Sequence, residues 1–197
     1  MTVIDYYMTL NSPWAYLGSR RFMEIAKARG AKIDIKPAKF GAIFEKTGGL
    51  PLAKRAPARR DYRTMELQRW RTFRERPIVL EPKFFPADEA LGTRMVLRAK
   101  LAGLDAVRLS SEISCAQWEM EENFADPAVL EATVKRAGID PAKLTGGPSD
   151  AELDAMHDAF TAEALSRGVF GAPTYMLPSG EFFWGQDRLD FLDRVLA

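Results

Sequence analysis

The start of the chain carries two hydrophobic patterns of different period. Val3 to Met8 is a short, mostly apolar run, which is typical of a buried strand. Ser12 is a good N-cap for a following helix, and Pro13 suits its first position because the missing proline N–H would have no partner there. The pattern predicts a strand, a tight turn and a helix. The apolar residues that recur at helical spacing are Ala15, Tyr16, Phe22, Met23, Ile25 and Ala26.

Strand patterns recur just after this helix and again only near the end of the chain. Gly30 would end the first helix, and Ile33 to Lys36 alternates apolar and charged residues as a strand does. If the two strands are parallel, the connection between them is a right-handed crossover. Residues 174–177 and 181–184 flank Pro178-Ser179-Gly180, which predicts a hairpin. Residues 187–196 then read as a closing helix.

Residues 41–167 show no convincing strand. Residues 41–51 are loop-like, because Gly48, Gly49 and Pro51 interrupt them. Apolar periodicity and capping residues then predict five helices, with Asp88 and Ser149 as two of the caps. The predicted ranges are 58–76, 88–103, 109–124, 127–138 and 150–167.

The order of elements is β-α-β, a helical block, then β-β-α. This is the order of an α/β thioredoxin-like fold with a large all-helical insertion. We expect residues 1–40 and 168–197 to form a discontinuous thioredoxin-like domain, and residues 41–167 to form the helical insertion domain.

Composition removes several classes of function. The 197 residues carry a net charge of +1, so overall charge gives no case for nucleic acid as a partner. The single cysteine, Cys115, excludes an internal disulfide, a CxxC redox pair and a cysteine-rich zinc site, and we expect no metal. No apolar run is long enough for a membrane helix, and the N-terminus lacks the pattern of a secretory signal. We therefore expect a cytoplasmic protein with no membrane partner.

Ser12 and His157 are the first candidates for chemistry. The N-terminus of a helix attracts anions, so Ser12 could bind one there, although many such serines are only helix caps. A serine-hydrolase mechanism would need a histidine base, and His157 is the only histidine. Its position in the middle of a predicted helix favours a structural or surface role.

The predicted helix over residues 58–76 and the segment before it are rich in arginine. One interpretation is a solvated helix face; the alternative is a binding patch for small anionic ligands. The basic residues are Lys54, Arg55, Arg59, Arg60, Arg63, Arg69, Arg71, Arg74 and Arg76.

Three segments together resemble one protein family. They are Asn11–Leu17 (NSPWAYL), Gly168–Thr174 (GVFGAPT) and Phe183–Leu192 (FWGQDRLDFL). In order and spacing they resemble the active-site segment, the cis-proline segment and the C-terminal signature of glutathione-dependent 2-hydroxychromene-2-carboxylate isomerases. That family is grouped with kappa-class glutathione transferases in the DsbA-like branch of the thioredoxin superfamily. The helical middle is similar in layout more than in residues.

The resemblance implies bound glutathione and gives roles to particular residues. Ser12 would donate a hydrogen bond to the glutathione thiolate, where a redox relative would carry its own cysteine. Ala172, before a cis Pro173, would pair with the tripeptide backbone. Gln186 and Asp187 would hold its γ-glutamyl end. Arg59, with Arg60 as the next choice, would meet its glycyl carboxylate. Aromatic candidates for the wall facing the second substrate are Trp14, Phe84, Phe85 and Trp184, with Trp14 and Phe85 as the chosen pair.

The implied activity is cis-trans isomerisation of an unsaturated aromatic keto acid by reversible thiolate addition, in the catabolism of naphthalene-type aromatic compounds. A homodimer is expected on the same resemblance. Gly49 and Asp88 stand where the family often carries asparagine, which leaves the second substrate open. Two alternatives remain: a kappa-like glutathione transferase that consumes the tripeptide, and a non-catalytic binding protein that kept the thioredoxin fold.

Overall fold

Four strands form a single mixed sheet in the computed structural model, which describes residues 1–197. The strands are β1 (Val3–Met8), β2 (Lys32–Pro37), β3 (Thr174–Met176) and β4 (Phe182–Trp184), and their order in the sheet is β2-β1-β3-β4. β1 runs parallel to β2, β3 runs antiparallel to β1, and β4 completes the hairpin with β3. The predicted strands, the hairpin and the thioredoxin-like order are confirmed.

Eight helices surround this sheet. None of them is both long and apolar enough to cross a membrane. They are α1 (Pro13–Ala28), α2 (Phe40–Thr47), α3 (Pro57–Phe73), α4 (Ala90–Leu101), α5 (Ala106–Trp118), α6 (Pro127–Arg136), α7 (Asp150–Ser166) and α8 (Leu189–Val195). Helices α2 to α7 all lie between β2 and β3 in the chain, so the large helical insertion is also confirmed.

The prediction of a loop over residues 41–51 was wrong, because α2 occupies its first half. This helix is short, and it is held by tertiary packing: Phe40 and Ile43 are buried in the same apolar cluster as Tyr7 of β1. Gly48, with φ of +79°, ends it in the left-handed conformation that glycine adopts easily.

Three other helix boundaries also differ from the prediction. Helix α5 begins earlier than predicted because the Asp105 side chain accepts a hydrogen bond from the Arg108 N–H, which caps the helix there. It ends at Trp118 rather than continuing to residue 124. The closing helix begins with a 3-10 turn over Gln186–Arg188, and α8 follows it.

The side chains of β1 alternate between two apolar clusters. Ile4, Tyr6 and Met8 lie in the larger cluster, which also contains residues of α1, α4, α5, α6 and α8. Tyr7 points to the opposite face and joins the smaller cluster with α2 and α7. The larger cluster crosses the predicted boundaries at residues 40 and 168, so the sheet and the insertion share one core.

Gly18 brings α1 close to the chain after β4. A Cβ atom at this position would lie 2.5 Å from the Cβ of Gln186, which is too close for two carbon atoms. Arg74 holds Gln186 from the other side, donating from Nε to the amide oxygen at 3.0 Å and from a terminal nitrogen to the backbone carbonyl at 3.1 Å. The absence of a side chain at residue 18 therefore sets the position of the 3-10 turn.

We expect Gly18→Ala to lower the free energy of unfolding by about 1 kcal/mol. Overpacking costs about 1–3 kcal/mol, and the better helix propensity of alanine offsets about 1 kcal/mol of that. Urea unfolding measures the change. Gly41→Ala in α2 is the matched control, because its Cβ meets no atom within 4 Å and stability should be equal or slightly higher. Equal effects at the two positions would contradict the packing argument.

Candidate active site

The hydroxyl of Ser12 lies where α1 begins and where the loop before β3 passes. Ser12 is buried, and its Oγ accepts a hydrogen bond from the Ala15 N–H at 3.2 Å, which confirms the predicted N-cap. The same oxygen lies 3.4 Å from the carbonyl oxygen of Ala172 and donates to it. Ser12, from the first predicted segment, and Ala172, from the predicted cis-proline segment, are therefore neighbours in the fold.

The loop before β3 has the conformation that the resemblance implies. The Ala172–Pro173 peptide bond is cis. The Ala172 N–H makes no hydrogen bond within the chain, and neither does the Trp14 N–H in the first turn of α1. These two N–H groups, the Ser12 hydroxyl and the positive end of α1 together favour an anion or an extended peptide at this point.

A large cavity opens in front of Ser12. Its volume is about 1350 Å³, and its lining includes Ser12, Trp14 and Ala172 together with residues from α2, α3, α4 and α7. Most of its wall therefore comes from the helical insertion, while the Ser12 end comes from the thioredoxin-like part. A space of this size holds a tripeptide and a second small molecule together.

Glu89 places a partly buried carboxyl group beside the start of α1. It accepts hydrogen bonds from the Thr9 hydroxyl and from the Asn11 N–H, the latter at 2.7 Å. Burial raises the pKa of Glu89, and the hydrogen bonds from Thr9 and Asn11 oppose that rise. The Asn11 side chain in turn exchanges two hydrogen bonds with the Ala87 backbone, so residues 9–11 and the segment before α4 are fixed together.

Four arginines line the same cavity, and three of them, Arg55, Arg60 and Arg63, lie at or near the start of α3; the fourth is Arg94 of α4. Burial first, and then the guanidinium of Arg55, lower the pKa of Arg63 to about 10. Arg94 pairs with Asp150 and Asp154, whereas Arg55, Arg60 and Arg63 form no ion pair within 4 Å. Arg59, the predicted ligand of the glycyl carboxylate, is exposed on α3 and does not line the cavity, whereas Arg60, the second choice, does.

The aromatic candidates separate into two groups. Trp14 and Phe85 line the cavity, and the Phe85 ring packs against Trp118 with centroids 4.9 Å apart. Phe84 and Trp184 do not line it. Trp184 is half exposed and covers Gly171 on the outer side of the cis-proline loop, where it stacks edge-on against Phe170.

Gln186 and Asp187 lie behind the cis-proline loop and do not line the cavity. The Gly185 N–H donates to the Pro173 carbonyl at 2.9 Å, so this segment is tied to the loop. The Gln186 side chain is buried and its amide oxygen is used by Arg74, whereas the Asp187 carboxylate is 41% exposed and pairs with Arg188 at 2.9 Å. Their roles as glutathione ligands stay predictions.

Sequence reasoning missed His157 and Glu89 as parts of the cavity wall. His157 lies on α7, its Nε2 is buried without a hydrogen-bond partner, and burial followed by the charge of Lys39 lowers its pKa. Neither residue belongs to a recognisable motif, so only the fold reveals their location. No cluster of three or more histidine, cysteine or acidic side chains is arranged to hold a metal ion.

Comparison with known proteins agrees with this fold. A family model described as the DSBA-like thioredoxin domain matches residues 3–197. The chain belongs to this DsbA-like family. Within it, the protein is similar to the 2-hydroxychromene-2-carboxylate isomerases of Pseudomonas putida and Sphingobium xenophagum. The P. putida protein is 27% identical, and the match covers 99% of this chain and 94% of that protein. The S. xenophagum protein is 25% identical, and the match covers 98% of this chain and 97% of that protein.

The fold of this DsbA-like protein also matches that of a solved 2-hydroxychromene-2-carboxylate isomerase. The TM-score is 0.76 at 24% sequence identity, and the match covers 98% of this chain and 94% of the other. This likeness confirms the fold, including the helical insertion. The cavity with Ser12 at one end is thus formed by a DsbA-like scaffold in which a serine hydroxyl caps α1.

The Glu89 carboxyl makes a pH-dependent contribution to stability that Glu89→Gln should remove. Because burial raises its pKa above the ordinary value of 4.5, the folded chain binds this proton more tightly than the unfolded chain. The parent should therefore lose stability as the pH rises from 4.5 through the raised pKa, and the variant should lack that loss.

Urea unfolding of both proteins over about pH 4 to 8 tests this expectation. All other titrating groups are shared, so their contributions cancel in the difference between the two free energies of unfolding. The free energy of unfolding of the variant should increase relative to that of the parent as the pH rises. A difference that is independent of pH would show that Glu89 titrates normally in the folded protein.

Proposed function

We propose that this protein is a glutathione-dependent isomerase of the 2-hydroxychromene-2-carboxylate isomerase type. The observation that most directly supports the proposal is the hydrogen bond from the Ser12 hydroxyl to the Ala172 carbonyl. The two oxygen atoms lie 3.4 Å apart at the end of a large cavity. The similarity to isomerases of that name over nearly the whole chain supports the reaction class. Its place in naphthalene-type catabolism, its cytoplasmic location and a homodimer are part of the same proposal.

The residues present fit glutathione. The unpartnered Ala172 N–H offers strand-like pairing to a peptide backbone next to the cis-proline. The Ser12 hydroxyl and the unpartnered Trp14 N–H lie at the α1 N-terminus, where a thiolate is stabilised by hydrogen bonds and by the helix dipole. The exposed Asp187 carboxylate, close behind the loop, is able to accept from an ammonium group.

The chemistry that glutathione supplies when bound is reversible addition of its thiolate to the β-carbon of an α,β-unsaturated ketone, which permits rotation about the former double bond. The single proton of the Ser12 hydroxyl would turn from the Ala172 carbonyl to the sulfur, and this hydrogen bond would lower the pKa of the thiol below its free value of roughly 8.5. Trp14 and Phe85 offer flat apolar faces to the acceptor and orient it towards Ser12.

Ser12→Ala should preserve the fold and glutathione binding but raise the pKa of the bound thiol and slow isomerisation about ten-fold or more. The reason is the loss of a hydrogen bond to a charged sulfur, whereas most peptide contacts remain. Ultraviolet absorbance of the thiolate during a pH titration gives the pKa, and calorimetry gives the affinity.

Ser149→Ala is the matched control for this substitution. Ser149 caps α7 with a capping box and does not line the cavity, so its loss costs about 1 kcal/mol of stability without changing the thiol pKa. Ser12→Thr, which keeps a hydroxyl, should restore part of the activity. An unchanged thiol pKa in Ser12→Ala would show that the hydroxyl does not contact the sulfur.

Product analysis separates the proposed isomerase from its two alternatives. With a fixed amount of glutathione, an isomerase converts many equivalents of a hydroxybenzylidenepyruvate and leaves the thiol unconsumed. A kappa-like transferase would consume one glutathione for each product molecule. Absence of both a calorimetric signal with glutathione and any thiolate absorbance would support a binding protein without catalytic activity.

A further inference from the structure

A second cavity lies along β2, which is an edge strand of the sheet. Its volume is about 660 Å³, and it shares no lining residue with the cavity in front of Ser12. Its walls come from the C-terminal half of α1, from residues 32–35 of β2 and from the turn that joins α4 to α5. Because consecutive residues of β2 line it, the cavity follows the open edge of the strand. We call it the β2 groove.

The interior of the β2 groove is apolar and contains no aromatic ring. Its buried residues are Ala26, Ile35, Ala106 and Val107. Met23 of α1 and Leu104 of the α4–α5 turn are partly buried and pack on the large apolar cluster from two walls of the groove. Three small or branched aliphatic types and one methionine surround the space, so it favours a flexible hydrocarbon chain over a flat ring. The volume is in the usual range for a small-molecule site.

Two lysines on this groove have no carboxylate partner in the chain. Lys27 lies in the last turn of α1 and Lys32 is the first residue of β2, so the two flank the turn between these elements. Both are exposed, and neither forms an ion pair. The positive charge at this end of the groove is therefore available to an anionic group.

The other charged groups on the groove are already engaged. Lys100 pairs with Asp34, and its Nζ donates to the Ile35 carbonyl at 2.8 Å. Asp105 caps α5, because its carboxylate accepts from the Arg108 N–H at 2.9 Å. Both carboxylates on the wall thus have a donor of their own, and Lys27 and Lys32 are the cations left without one.

The Ile33 N–H adds a backbone donor at the same end of the groove. On either side of it along the strand, the Lys32 N–H donates to the Thr2 carbonyl at 2.8 Å and the Ala38 N–H donates to the Met8 carbonyl at 3.0 Å. Alternate residues of a strand bond to a given neighbour, so the Ile33 N–H points away from β1, to the open edge. A carboxylate there would accept from this N–H as well as from the lysines.

We propose that the β2 groove binds a medium-chain aliphatic carboxylate. The hydrocarbon chain would lie on the buried floor, and the carboxylate would lie between Lys27, Lys32 and the Ile33 N–H. The site is separate from the Ser12 cavity, so this inference does not depend on the function proposed above.

Two-dimensional amide NMR spectra of the isotope-labelled full chain locate a bound probe residue by residue. Octanoate is the test probe. Octanol has the same chain without the charge, and acetate has the same charge without the chain. The amide signals of Ala31, Ile33 and Leu104 report on the β2 groove, whereas those of Trp14 and Ala172 report on the Ser12 cavity.

We expect octanoate to shift the groove signals saturably in the parent. It should bind about ten-fold or more tightly than acetate, because methylene groups leave water. It should bind about three- to ten-fold more tightly than octanol, because ion pairs with exposed lysines are modest in strength.

Three variants separate the charge from the apolar floor. The double variant Lys27→Gln/Lys32→Gln should lower octanoate affinity to that of octanol. Ala31→Leu, which fills part of the groove, should weaken both probes. Lys46→Gln is the matched control, because Lys46 is an exposed lysine in the last turn of α2 that lines neither cavity, and it should change nothing.

Any of three results would overturn the proposal. The first is an octanoate response confined to Trp14 and Ala172, which would place the probe in the Ser12 cavity. The second is octanol binding as tightly as octanoate in the parent. The third is unchanged octanoate affinity in the double lysine variant. The same spectra show whether each variant folds, and the lysine substitutions at exposed positions carry the test should Ala31→Leu not fold.

Discussion

The hydrogen bond between the Ser12 hydroxyl and the Ala172 carbonyl joins the two structural features on which the site depends. One is the first turn of α1, where Ser12 caps the helix through the Ala15 N–H. The other is the loop with the cis Ala172–Pro173 bond, which enters β3. Because β1 and β3 are neighbours in the sheet, the ends of a chain of 197 residues meet at this point. The unpartnered N–H groups of Trp14 and Ala172 and the cavity all lie beside the Ser12 hydroxyl.

Close packing behind the site keeps this arrangement in place. Gly18 allows the 3-10 turn at Gln186 to lie directly against α1, and Arg74 holds that turn from the insertion. The Gly185 N–H then ties the turn to the Pro173 carbonyl. The side chain of Gln186, whose role as a glutathione ligand stays a prediction, lies against α1 and accepts a hydrogen bond from Arg74.

The insertion contributes chemistry as well as volume. Its helices share the large apolar cluster with the sheet, so the cavity wall and the Ser12 end are parts of one packed body. The wall carries compensated ion pairs on α4 and α7 and uncompensated guanidinium groups at Arg55 and Arg63. These charged side chains line the same cavity as Ser12.

The sequence by itself determined the strands, the Ser12 cap, the thioredoxin-like order and the family resemblance, because these depend on local periodicity, capping chemistry and short motifs. Helix α2 escaped prediction since its stability comes from burying Phe40 and Ile43 against distant residues. The choice among the arginines, and the presence of Glu89 and His157 in the wall, were decided only by the tertiary structure. Which side of a helix faces a cavity depends on the packing of neighbouring helices. The arginines of α3 recur along the helix with similar neighbours in sequence, so the sequence alone does not show which of them face the cavity.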